Sequence, residues 1–273
     1  MIALRAPSPT EDDNYLLKIC KEPPWAAHHG VWLWCYQLYR NHGGNPWSIA
    51  KSQFSAGVGK EQRQLYESRK SVKRFADIRN QQLASCPMCG SPATGTLDHF
   101  LPKETFPEFS VMAANLIPAC THCNSSAKGR KYQGADVDEW PLHPYFDTLA
   151  QSAIWWVRVI PPYQAATFEA IPCSFHPPAV HKRLAFHLKF VLGPQFTRSC
   201  TNLWATLPQV IRDVTENTPV SAIDVASLLE MRLKIDQASL GMNAWQTAFH
   251  RGLLGDLSAQ GYLASQASIL AKG

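Results

Sequence analysis

The sequence lacks any apolar run long enough to cross a membrane. Its most apolar stretch, Val31-Trp-Leu-Trp-Cys-Tyr-Gln-Leu-Tyr39, falls far short of the ~20 residues that a span needs. The N-terminal Met-Ile-Ala-Leu-Arg-Ala-Pro-Ser-Pro has no basic stretch followed by an apolar one, so the expected location is the cytoplasm. In that reducing compartment eight cysteines do not make four disulfides. No internal repeat or low-complexity tract is present, which excludes a repeat array. Net charge is also small: 26 Lys and Arg against 21 Asp and Glu give +5, too little to imply nucleic acid by itself.

The distribution of that charge is more informative. Between Lys51 and Leu83 there are eight basic and three acidic residues, a net +5, so the rest of the chain sums to zero. This is either a solvated helix face or a track for phosphates. A chain of 273 residues holds one large domain or two to three small ones.

The expected class is α+β and mainly helical. Region 1–59 is a helical N-terminal part: irregular to about residue 25, then a short apolar helix from His28 to Arg40, stopped by Asn41-His-Gly-Gly-Asn-Pro46. Its Trp32, Trp34, Tyr36 and Tyr39 read as core or partner surface. Residues 60–83 read as one basic helix, with Leu65, Val72, Phe75 and Leu83 near one face. Residues 84–147 form a small metal-stapled core. Region 148–273 opens with two strands around Pro161-Pro-Tyr163, expected to pair as a hairpin, and continues as helices, the third of them opened by Pro219.

Cys86-Pro-Met-Cys89-Gly90 and Cys120-Thr-His-Cys123 are two Cys-x-x-Cys units with 30 residues between them. Each such turn aims two thiolates at one ion, and two turns complete a tetrahedral sulfur shell that suits Zn2+. Gly90 fits the tight turn after the second thiolate. A closed four-sulfur site holds a fold together and leaves no position open for substrate. The other cysteines, Cys20, Cys35, Cys173 and Cys200, read as buried small hydrophobes.

The 30-residue insert carries the residues with chemical potential. A strand candidate from Thr94 ends at Asp98-His99, and Pro102 breaks it. An irregular loop, Lys103 to Ala114, follows, then a second strand candidate from Asn115, the second Cys pair and Asn124. Cys86/Cys89, Asp98-His99, Asn115, Cys120/Cys123, Asn124 and Lys128-Gly129, in this order, resemble the HNH endonuclease family in its zinc-stapled, ββα-metal form. The resemblance covers about 60 of the 273 residues.

The resemblance implies a site. His99 would be the general base that takes a proton from water, which an imidazole titrating near neutrality can do. Asp98 and Asn124 would be oxygen ligands of one catalytic divalent ion, Mg2+ or similar. Asn115 would hold the loop and orient His99. Asp98 and His99, as strand neighbours, would point to opposite sides. The family's third position is often His. Asn124 stands there instead, and it has a second reading as a helix cap. Arg69, Lys70, Lys73, Arg74, Lys103 and Lys128 are candidate phosphate contacts, each with a solvated-surface alternative. His122 reads as surface, and His143-Pro-Tyr-Phe-Asp147 as a string packed against the core.

The functional expectation is a DNA endonuclease of this family. It resembles, more weakly, HNH subunits of bacterial anti-phage systems paired with an ATPase, such as the Septu type, so an ATPase partner and an oligomer or complex are expected. The alternative is a zinc-stapled nucleic-acid-binding module without catalysis, in which Asp98, His99 and Asn124 are structural.

Overall fold

The computed structural model describes residues 1–127, 131–215 and 220–270. Lys128, Gly129 and Pro219 lie outside them. The fold is mainly helical, with two separate antiparallel hairpins. Among the described residues no helix is long and apolar enough to cross a membrane.

Helix α1 spans Pro9–Cys20, within the segment expected to be irregular. The signals were present in a form easily read as loop. Ser8 caps the helix by accepting the Glu11 N–H, Pro9 opens it, and Glu11 and Asp12 face the positive end of its dipole. Helix α2, His29–Asn41, buries Trp32, Tyr36 and Tyr39 and leaves Trp34 half exposed.

The basic segment is two helices rather than one: α3, Ala56–Arg69, and α4, Lys73–Arg79. Val72 adopts extended backbone between them, and the Arg79 guanidinium donates to the Lys70 carbonyl (2.7 Å). The break lets Phe75 and Ile78 turn inward beside Leu65 and Tyr66, while Val72 is left at the surface.

Strands β1, Thr96–His99, and β2, Leu116–Ala119, pair antiparallel, with Asp98 opposite Ile117 and His99 opposite Leu116. Asp98 and His99 therefore end the first strand, as expected, and both are paired in the ladder. The intervening loop is not loose. It folds into two short 3-10 turns, Pro107–Phe109 and Ala113–Asn115, and buries Phe106, Phe109, Val111 and Met112. Asp12 pins this loop to α1. Its buried carboxylate takes the Ala113 and Ala114 N–H groups (2.8 and 3.2 Å) and pairs with Arg74.

The second hairpin joins β3, Trp155–Ile160, to β4, Thr167–Pro172. Helices α5 (Pro178–Val191), α6 (Pro194–Val214), α7 (Ala222–Ser239), α8 (Trp245–Leu254) and α9 (Leu257–Leu270) follow. Alternation puts Trp155, Val157 and Val159 inside. Helix α8 packs flush on β3, because a side chain at Gly252 would meet the Val157 carbonyl at 1.8 Å. One buried cluster runs through all these elements, from Leu16 and Trp32 across the first hairpin to Phe249 and Leu263.

Candidate metal cluster and hydrolytic cleft

Cys86, Cys89, Cys120 and Cys123 are all buried, and their sulfurs lie within 4.8 Å of one another. Cys86 Sγ is 4.0 Å from Cys123 Sγ, and Cys89 Sγ is 3.7 Å from Cys120 Sγ. Two thiolates ~2.3 Å from one tetrahedral ion stand ~3.8 Å apart, so the spacing fits a single ion. Backbone N–H groups of Ser91, Cys120 and Cys123 point at Cys89, Cys86 and Cys120 sulfurs, each at 3.4 Å, which favours thiolate. Among the described residues this is the one set of three or more His, Cys, Asp or Glu side chains with metal-binding spacing.

The cluster is anchored to the distant C-terminal half. Gly90 has φ +81° and no room for a side chain, since a Cβ would lie 2.4 Å from the Asn243 carbonyl. Trp245 donates its indole N–H to the Cys89 carbonyl (2.7 Å).

A cleft of about 290 Å³ opens beside the first hairpin, and Asp98 and His99, expected to point to opposite sides, both line it. Tyr66, Asp98, His99, Pro102, Lys103, Glu104 and Asn124 are among its lining residues. The fold thus gathers Asp98, His99 and Asn124, from β1 and from the turn Cys123–Ala127, into one space. Asn124 donates its backbone N–H to the Cys120 carbonyl (3.1 Å), so it lies within that turn rather than capping it. Glu104, a second carboxylate in the cleft, was not singled out from sequence. Nothing in Pro102-Lys-Glu-Thr105 marks it.

His99 is held on two sides. Its Nε2 lies 3.0 Å from the Ser110 carbonyl, and its ring meets Tyr66 edge to face at 4.4 Å. A carbonyl can only accept, so the neutral imidazole carries its proton on Nε2 and its lone pair on Nδ1. Asn115 is fully buried and ties the loop together. Its Oδ1 accepts the Leu101 N–H (2.8 Å), and its Nδ2 donates to the Leu101 and Phe109 carbonyls (3.0 and 3.2 Å).

The basic candidates do not form one free patch. Arg74 is engaged with Asp12 and the Glu11 carbonyl. Lys103 and Lys70 share Glu67, whose carboxyl is held below its ordinary range first by the hydrogen bond from Lys103. Arg69 pairs with Glu22 (3.5 Å) and Lys73 with Asp77 (2.7 Å). Exposed pairs of this kind are worth only ~0.2–1 kcal/mol, so phosphate can compete for the lysines. Lys103 lines the cleft, next to Tyr66.

The string at 143–147 packs on the core as expected. Tyr145 donates its O–H to the Leu116 carbonyl (2.9 Å), and Asp147 takes a two-pronged hydrogen bond from Arg183 (2.8 and 2.7 Å). His122 differs from expectation. It is half-buried, and a side chain at Gly193 would come within 2.7 Å of its ring.

A buried acid in the loop between β1 and β2 carries a pH dependence. Burial pushes the Glu108 carboxyl from its ordinary 4.5 up to about 7. Among the described residues its Oε2 has no hydrogen-bond partner. A carboxyl whose folded value is raised destabilises the fold when ionised. The penalty is absent below about 4.5, grows as pH rises to about 7, and is constant above. Glu108→Gln is expected to exceed the wild type in stability by ~1–3 kcal/mol at pH 8, with little advantage at pH 5. Urea unfolding of both proteins at the two pH values checks this; an equal difference at both would contradict it.

Over 63 residues the chain is 46% identical to Protein ea31 of Escherichia phage lambda. The match covers 23% of this chain and 21% of that protein. No protein-family model and no solved structure matches the chain.

Proposed function

We propose that the chain is a metal-dependent endonuclease of the HNH type that hydrolyses phosphodiester bonds of DNA. The observation that carries this reading is the convergence of Asp98, His99 and Asn124 on one cleft, directly beside the four-cysteine cluster. The four cysteines would hold a structural Zn2+ that ties the end of β2 to the turn bearing Asn124.

In this mechanism Asp98 and Asn124 would hold a hard divalent ion, Mg2+ or similar, with a carboxylate and an amide oxygen. When bound, that ion supplies charge stabilisation at the scissile phosphate and the departing 3′ oxygen. The donor set fits a hard ion, since both ligand atoms are oxygens. His99, with its lone pair on Nδ1, takes the proton from the attacking water. Lys103 gives up Glu67 for a backbone phosphate, and Lys70, just past the end of α3, and Lys73, at the start of α4, extend the contact. Such binding is salt-dependent and independent of sequence. The place of this activity in anti-phage defence beside an ATPase rests on the resemblance alone.

Anomalous diffraction from crystals grown with Mn2+ and a short duplex tests the ligand assignment. The expected ion lies ~2.0–2.2 Å from an Asp98 oxygen and from Asn124 Oδ1. Density elsewhere, or an Asn124 amide turned from the cleft, would defeat it.

A further inference from the structure

His143 and Tyr39 lie far in sequence from the hairpin, yet both are fully buried against it. Their hydrogen bonds have a fixed direction. The Tyr145 N–H donates to His143 Nδ1 (3.1 Å), so the neutral ring carries its proton on Nε2. That Nε2–H is 2.9 Å from the Tyr39 phenol oxygen and donates to it. The phenol's own proton is thereby directed onto Asn115 Oδ1 (2.9 Å); the Ala114 carbonyl, at 3.5 Å, is the longer alternative. Asn115 grips Phe109, and the next residue's carbonyl, on Ser110, holds His99 Nε2.

Packing supports the same line. The His143 ring lies 4.0 Å from that of Phe100, the neighbour of His99, and the Tyr39 ring 4.8 Å from that of Phe109. Gly44, at φ +72°, closes the pocket behind them, since a side chain there would come within 2.7 Å of His143 and 3.1 Å of Tyr39.

We propose that Tyr39 and His143 are positioning residues for His99, setting the placement of Asn115 and through it the carbonyl that fixes the His99 tautomer. The chain of bonds gives helix α2 and the 143–147 string a role in the chemistry beyond filling the core. Its activity readout rests on the nuclease reading; its spectroscopic readout does not.

The test compares wild type, Tyr39→Phe, His143→Leu, His143→Gln and Thr247→Val. Thr247→Val loses a part-buried hydroxyl bond (2.8 Å to the Gly241 carbonyl) on α8, which contributes no residue to the cleft, and serves as the stability control. Nitrogen-15 shifts of the His99 ring report its tautomer, and cleavage kinetics report kcat and KM. Tyr39→Phe and His143→Leu are expected to move the ring shifts off the Nε2–H pattern and to lower kcat by about 10- to 100-fold with KM unchanged. His143→Gln, whose amide nitrogen reaches the Nε2 position, should restore both. Thr247→Val should lower melting temperature and change neither. Wild-type ring shifts and kcat in Tyr39→Phe would overturn the proposal. If the wild type cleaves nothing, the nuclease reading fails, and the ring shifts alone decide this one.

Discussion

His99→Ala should lower the rate of strand cleavage by about 10²–10⁴-fold and leave metal content and duplex affinity unchanged. The ring packs on Tyr66 and lies 3.0 Å from the Ser110 carbonyl, so its loss removes that contact and leaves the carbonyl without this donor. A stability cost of ~1–3 kcal/mol follows from those two losses. Such a cost leaves a folded protein at 25 °C, and the lysines proposed to meet phosphate, Lys70, Lys73 and Lys103, are unchanged in the variant. Rate and affinity therefore separate. A zinc-stapled binding module would show the stability cost and nothing else. Cleavage rates on plasmid, together with anisotropy on a labelled duplex, distinguish the two.

Cys120→Ser should have the larger structural effect. Cys120 follows β2 directly, and its thiol accepts the Cys123 N–H at the start of the turn that carries Asn124. With one sulfur lost, zinc content should fall from one per chain to none. Structural zinc is worth ~10–16 kcal/mol in isolated finger peptides. Even a third of that, ~3–5 kcal/mol, lowers the melting temperature of a chain this long by ~10 °C. The loss spreads, because Trp245 and Asn243 brace the Cys89–Gly90 turn from the far end of the sequence. Cleavage should vanish with the zinc, although no cysteine touches the substrate. Metal analysis and a thermal melt check this; a variant that melts with the wild type would show the cluster to be dispensable.

The cysteine spacing and the Asp98, His99, Asn115 and Asn124 pattern were legible because each depends on local sequence and short-range geometry. The second hairpin was legible from its alternation, and the helices of the C-terminal region, α5 to α9, from their apolar positions. The rest was set by contacts that no local pattern carries. Asp12 looked like part of an acidic, irregular terminus, yet it caps a loop 101 residues away. Arg74 looked like a phosphate contact, but its partner is that same Asp12. The break between α3 and α4 follows from turning Phe75 inward, a tertiary demand that overrides helix propensity. Glu108 lay in a segment read only as an irregular loop, and the loop's burial makes it an acid with a raised pKa. His143 was seen to pack on the core, but its partner Tyr39 is 104 residues distant, beyond any sequence window.

Supercoiled plasmid tests the central claim most directly. Purified wild type and His99→Ala are each incubated with it, in Mg2+ and in EDTA. Nicked or linear product is expected from the wild type in Mg2+ alone. Equal conversion by both proteins, or conversion by the wild type in EDTA, would contradict the assignment of His99 and the divalent ion to this cleft.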